Sequence, residues 1–213
     1  MTTFYFVRHG QTQINLAHRF NGGLVDSPLT PAGVSGAQTV GAALATTRFT
    51  QVLTSSMPRA RRTAQLIMAA NAAAPTPPIT AVDGLREMRL GAWDGHTVEE
   101  VADPASIATY FEQPQQFDAT IAPRIHAEAY GQVAVRTQAV IAAAWAAHPA
   151  GQVLVVAHGL VFMVLMNALL GRPVAAARQT PMLQNTTVTK LATRDGQHFS
   201  VAYRDWLPTV AKD

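Results

Sequence analysis

Two stretches decide the fold: Phe4-Tyr5-Phe6-Val7-Arg8-His9-Gly10 and Val153-Leu154-Val155-Val156-Ala157-His158-Gly159. Each is a short apolar run rich in β-branched or aromatic residues, of strand length, that ends on His-Gly. In an α/β sheet, ligands bind just beyond the carboxyl ends of the strands, so these segments can bring both imidazoles into one crevice although they are far apart in sequence. A site is expected from placement alone.

Working outward, Leu29-Thr30-Pro31 opens a helix expected to run to about Ala45, with Thr30 as N-cap and Pro31 at the first helical position. A strand over Gln51–Thr54 and a helix over Arg59–Ala72 follow, with Ala60, Ala64, Ile67 and Met68 at helical spacing. Ala73–Pro78 reads as a Pro-rich surface connector before a short strand, Ile79–Val82. The stretch from Gly95 to Ala127 is broken by Pro104, Pro114 and Pro123 and reads as short helices and loops, a lid-like insertion at about 95–127. A long helix over Glu128–Ala147 precedes the strand and helix around His158. Thr186–Thr193 and His198–Tyr203, joined by Asp195-Gly196, read as a hairpin. The alternation predicts one α/β domain over 1–213, a three-layer α/β/α sandwich with a mostly parallel central sheet.

Composition narrows the function classes. Zero cysteines exclude disulfides, thiolate chemistry and Cys-based metal sites. The formal net charge is only +3, and Arg59, Arg61 and Arg62 form the one tight basic cluster, too thin for a nucleic-acid footprint. Val153–Leu170 is apolar enough to suggest a membrane span, but the His158-Gly159 break fits a buried strand followed by a buried helix. The start of the chain has no basic region followed by an apolar one, so a cytoplasmic location is expected.

Arg8-His9-Gly10-Gln11-Thr12 with Asn15 resembles the opening motif of the histidine phosphatase superfamily, which also contains cofactor-dependent phosphoglycerate mutase. Thr54-Ser55-Ser56-Met57-Pro58-Arg59-Ala60-Arg61-Arg62-Thr63-Ala64 resembles that family's second arginine motif, apart from Met57 and Pro58 in the loop. Leu85-Arg86-Glu87-Met88-Arg89-Leu90-Gly91-Ala92-Trp93-Asp94-Gly95 resembles the segment with its acidic catalyst, and His158-Gly159 its second-histidine motif. Arg19, Asn21, Gly22, Asp26 and Gly33 resemble the segment bordering the entrance, and Glu128 with Arg136 a later pattern assigned here to scaffold and, as an open alternative, substrate contact. The resemblance spans nearly the whole chain and implies a phosphoglycerate mutase-like fold.

It also implies roles. A neutral imidazole can attack phosphorus and hold the phosphoryl group, dividing one hard displacement into two easier ones. His9 is the implied nucleophile, with Arg8, Arg59 and His158 supplying charge and donors, Arg59 as a bidentate fork. Glu87 is the implied proton donor to the leaving alkoxide. Asn15, Gly159, Gln11, Thr12, Arg19 and Gly22 are expected at the phosphate or substrate. The remaining histidines lack metal-ligand spacing, so neither metal nor cofactor is expected. Between Glu87 and His158 the cations are Arg89, Arg124 and Arg136 with no Lys, which favours a phosphomonoester hydrolase for small metabolites over a mutase that must retain a bisphosphate. A phosphoglycerate mutase and a non-catalytic phospholigand-binding protein are the alternatives. No nucleic-acid or membrane partner is expected, and the oligomeric state, a homodimer included, stays open.

Overall fold

The computed structural model describes residues 1–101 and 103–208. Strands β1 (Thr2–Arg8), β2 (Gln51–Ser55), β3 (Ile79–Val82), β4 (Gln152–Ala157), β5 (Val188–Thr193) and β6 (Phe199–Trp206) form one sheet in the order β3-β2-β4-β1-β5-β6. The first four in that order run parallel, while β5 is antiparallel to β1 and β6 to β5. The helices are α1 (Gln13–Leu16), α2 (Pro31–Ala43), α3 (Pro58–Ala69), α4 (Pro104–Glu112), α5 (Pro114–Gln116), α6 (Ala122–Ile125), α7 (Tyr130–Ala147) and α8 (Gly159–Leu169).

Strand alternation sorts the core into two faces. Tyr5 and Val7 join Val40 of α2 and Ala60, Ala64 and Ile67 of α3 on one face. Phe4 and Phe6 join Ile141 of α7 and Phe162 and Leu165 of α8 on the other. The three layers expected from the sequence follow from this division. Each of Phe4, Phe6 and Phe162 is fully buried, a removal from water that contributes about 1.5–3 kcal/mol per side chain. The chain therefore leaves β1 toward one face, through α2, and β4 toward the other, through α8. That divergence opens the crevice where the two His-Gly segments end.

Element boundaries differ from expectation for local reasons. Thr30 caps α2 as expected, its Oγ1 accepting from Gly33 N at 3.0 Å, with Pro31 leading the helix. The helix stops at Ala43 rather than Ala45 because its last turn tightens, with Ala45 N donating to Ala42 O. Helix α3 stops at Ala69 rather than Ala72: Asn71 turns aside and its Nδ2 donates to Leu44 O and Thr47 O, tying the ends of α2 and α3. Helix α7 begins at Tyr130 because Glu128 N is drawn to Arg89 O and its carboxylate to Arg136. Strand β6 continues to Trp206, beyond Tyr203, across register shifts against β5.

The segment from Pro104 to Ile125 is helical, and Tyr110, Phe117, Ile121 and Ala122 pack into the core, so it forms a wall of the crevice. Trp93, buried among Phe20, Tyr110 and Phe117, is a packing residue as expected, and Gly95 adopts φ +84° in a turn.

Candidate active site

Parallel pairing of β1 with β4 places Arg8 opposite Ala157, so His9 and His158 are the next residues beyond the paired ends. His9 N still donates to Ala157 O at 2.9 Å, and the two imidazole centroids lie 5.1 Å apart. Strand β2, on the other side of β4, delivers Ser55, whose hydroxyl meets His158 Nε2 at 2.7 Å. The first glycine of the motif is required by packing: a Cβ on Gly10 would overlap the carbonyl of Gly33 in α2.

The His9 tautomer follows from its partner. Nδ1 lies 2.8 Å from Gly10 O, which can only accept, so Nδ1 carries the proton and Nε2 keeps its lone pair. Burial, with the nearby charges of Arg59 and then Arg8, holds the His9 pKa well below the ordinary imidazole value. His158 is depressed in the same direction by burial, then by Arg59, His9 and Arg8. The site thus holds an uncharged imidazole nitrogen with a free lone pair beside two guanidinium groups. Arg8 Nε, Arg59 Nε and His158 Nδ1 are all buried without a protein partner, so two guanidinium donors and an imidazole nitrogen are free to meet a ligand.

Arg59 requires a correction to the expected fork. Its Nη1 donates to Val25 O and to Asp26 Oδ1 at 2.9 Å, and its Nη2 donates to Asn21 O and Gly22 O. The guanidinium ends clamp the 21–26 loop, leaving Nε and the charge itself for an anion. Asp26 also takes the expected anion position at the start of α3, near Arg59 N. Arg61 and Arg62 are exposed.

Glu87 pairs with neither Arg86 nor Arg89 among the described residues. Its Oε1 accepts from Met88 N at 2.9 Å and Val161 N at 3.1 Å, and its Oε2 from Leu160 N at 3.2 Å. The carboxylate therefore caps α8, whose own N-cap residue, His158, supplies no side-chain bond. This places Glu87 on the same helix end as His158 and Gly159. A Cβ on Gly159 would displace the exposed Met182 side chain, whose sulfur would lie at 2.7 Å, and would come within 3.1 Å of Arg8 Cζ.

A pocket of about 280 Å³ opens over this group, bordered by Arg8, Asn15, Arg19, Gly22 and Glu87 among the residues anticipated. Asn15 also closes a capping box with Thr12, its Oδ1 accepting from Thr12 N. Three expected contacts, Gly159, Thr12 and Gln11, do not line the pocket, and neither do His9, Arg59 and His158, which are buried. Thr12 is fully buried and spends its hydroxyl on Asn15 and Asn21, while Gln11 Oε1 accepts from Thr30 Oγ1. Arg19 pairs with Glu100 at 2.9 Å and donates to Gly95 O. Glu128 and Arg136 form a two-pronged ion pair that also reaches Gly84 O, a scaffold role as assigned.

Sequence reading missed four contributors. Ser55 lay inside a quoted motif, and its place at the end of a strand beside β4 was the available signal. Asp94 Oδ2 accepts from Leu90 N, and burial pushes its carboxyl up to about 6. Asp26 is the partner of Arg59, and Arg178 reaches the pocket from the turn after α8. Nothing local in the sequence announced either contact. Among the described residues, no group of three His, Cys, Asp or Glu side chains could hold a metal ion, and no helix is long and apolar enough to cross a membrane.

The fold and the paired histidines define a class, and the comparisons identify it. The model of the histidine phosphatase superfamily (branch 1) matches residues 4–205, and the chain belongs to that superfamily. It is 30% identical over 214 residues to the probable phosphoglycerate mutase GpmB of Klebsiella pneumoniae (strain 342), covering 100% of this chain and 94% of that one. Bacillus stearothermophilus YhfR superposes with a TM-score of 0.86 at 30% identity, covering 97% of this chain and 98% of that one. A mycobacterial glucosyl-3-phosphoglycerate phosphatase in complex with VO3 superposes with a TM-score of 0.84 at 26% identity, covering 96% and 99%. Members of the superfamily are phosphatases or mutases.

Proposed function

We propose that this protein is a phosphomonoester hydrolase that acts on small phosphorylated metabolites through a phosphohistidine at His9. The observation that carries the reading is the fixed His9 tautomer, with Nε2 unprotonated beside the unpartnered Arg8 Nε, Arg59 Nε and His158 Nδ1. Attack by Nε2 forms the N–P bond as the ester P–O bond breaks, and the three groups meet the charge on the phosphoryl oxygens throughout. Glu87, carrying a proton once the ester is bound, gives it to the departing alkoxide; the carboxylate so formed takes a proton from water, which attacks phosphorus as the N–P bond breaks, returning Nε2 to its resting state. The pocket's size suits a small metabolite.

The relatives named probable phosphoglycerate mutase support a second reading. Against it stands the commitment of two candidate cations, Arg19 to Glu100 and Arg136 to Glu128, whereas a mutase must hold a bisphosphate while it reorients. The test is phosphate release and formation of 2-phosphoglycerate, measured side by side from 3-phosphoglycerate with a bisphosphate primer, and phosphate release from a panel of phosphomonoesters. Hydrolysis of the best panel member should far exceed isomerisation. Isomerisation outpacing all phosphate release would replace the hydrolase reading with the mutase.

A further inference from the structure

Arg178 lies in the 3-10 turn Val174–Gln179, outside every motif, yet it borders the same pocket as Arg8 and Glu87. Its guanidinium carbon sits 4.1 Å from the centroid of Tyr110 and 5.0 Å from that of Phe111. Its Nε donates to Tyr130 Oη at 2.6 Å, and that hydroxyl in turn donates to Tyr110 O at 3.0 Å, so the head group is held from below and along one edge. Nη2 is buried without a partner, and no carboxylate pairs with Arg178 among the described residues.

A largely desolvated guanidinium is costly unless an anion meets it, and aromatic faces offset only part of that cost. The other arginines of the pocket are accounted for: Arg8 stands beside His9, and Arg19 is paired with Glu100. Glu87 is held by the amides of α8. Arg178 is thus a rigidly presented charge whose counter-ion must come from the ligand. Its geometry selects among anions. With Nε engaged, the two terminal nitrogens remain, a planar edge that matches a carboxylate. Phe111, over whose ring the guanidinium also sits, adds no donor for the remaining oxygens of a second phosphate.

We propose that Arg178 forms an anion subsite beyond the phosphoryl position, and that the favoured substrates are phosphomonoesters whose alcohol portion carries a carboxylate. This substrate class rests on the hydrolase reading given above. The subsite itself is a statement about binding, and the two can fail separately.

The test uses 3-phosphoglycerate and glycerol 3-phosphate, which differ only by a carboxylate in place of a hydroxymethyl group. In the unmodified enzyme, kcat/KM for phosphate release should be at least tenfold higher for 3-phosphoglycerate. In Arg178→Met, which keeps apolar cover over Tyr110, the ratio of the two should fall to within threefold of one. Titration calorimetry on His9→Ala supplies a readout without turnover, with 3-phosphoglycerate expected to bind at least tenfold tighter than glycerol 3-phosphate. Equal binding, or a ratio retained in a folded Arg178→Met, would overturn the subsite. Should Arg178→Met fail to fold, the calorimetric comparison decides alone. Absence of phosphate release from both esters and from p-nitrophenyl phosphate would overturn the hydrolase reading, leaving the binding comparison to judge Arg178.

Discussion

Replacing Glu87 with Gln tests whether one carboxylate both anchors a helix and serves the chemistry. The side chain accepts three backbone N–H groups, from Met88, Leu160 and Val161, and is nearly inaccessible to solvent. An amide can keep its oxygen at Met88 and Val161, but its NH2 group then faces the Leu160 N–H, donor against donor. A buried donor left unpaired costs about 1–3 kcal/mol. Loss of the negative charge at the start of α8 adds about 0.3–1 kcal/mol. The expected destabilisation is therefore about 1.3–4 kcal/mol, read as a drop in the urea midpoint at unchanged slope. The chemical consequence is separable. In single-turnover phosphoryl transfer, alkyl phosphates should slow far more than an activated aryl phosphate, whose departure needs little protonation. A variant within about 0.5 kcal/mol of the parent, the scatter of unremarkable surface changes, would refute the capping account. Equal slowing of both ester types would refute the acid.

Further predictions concern the histidines, the glycine contact and metal independence. The pKa values of His9 and His158 lie below that of an exposed imidazole, so the unfolded chain takes up two protons on acidification that the folded chain refuses. Stability should be full above about pH 6.5 and fall below it, by about 2.7 kcal/mol per pH unit for two groups. Asp94, pushed up to about 6, binds a proton in the folded chain first and opposes that slope between about pH 6 and 4; denaturant titrations should therefore show a steeper acid limb in Asp94→Asn. Gly10→Ala forces a Cβ onto the Gly33 carbonyl and should lower stability by about 1–3 kcal/mol, a loss measurable by thermal melting; an unchanged melting temperature would contradict the close approach. Turnover should survive EDTA and be inhibited by orthovanadate, which mimics a pentacoordinate phosphoryl group; inactivation by EDTA with rescue by a divalent ion would contradict the mechanism.

The readable parts of the chain are those where one segment carries its own instruction. The runs into His9 and His158 announced strand ends, and Thr30-Pro31 announced a helix start, because periodicity and capping are local. Their parallel register, and hence the 5.1 Å between rings, required only that the two strands be neighbours. What stayed hidden depends on partners distant in sequence. Arg59 looked like an open fork, and only the folded 21–26 loop shows that its ends are occupied. Glu87 read as an acid only, since nothing in its motif reveals that α8 lacks a side-chain cap of its own. Arg178 sits in an Ala-rich stretch whose periodicity says nothing of the Tyr110–Tyr130 platform beneath it.

The most direct measurement is rapid chemical quenching with a 32P-labelled phosphomonoester, followed by digestion under alkaline conditions and identification of the modified residue and ring position. Because Nδ1 of His9 is committed to Gly10 O, the account predicts an acid-labile phosphoryl group on His9 at Nε2, formed at the rate of alcohol release and absent from His9→Ala. Turnover without a phosphohistidine in any quenched sample, or label on His158 or on Nδ1 of His9, would contradict it.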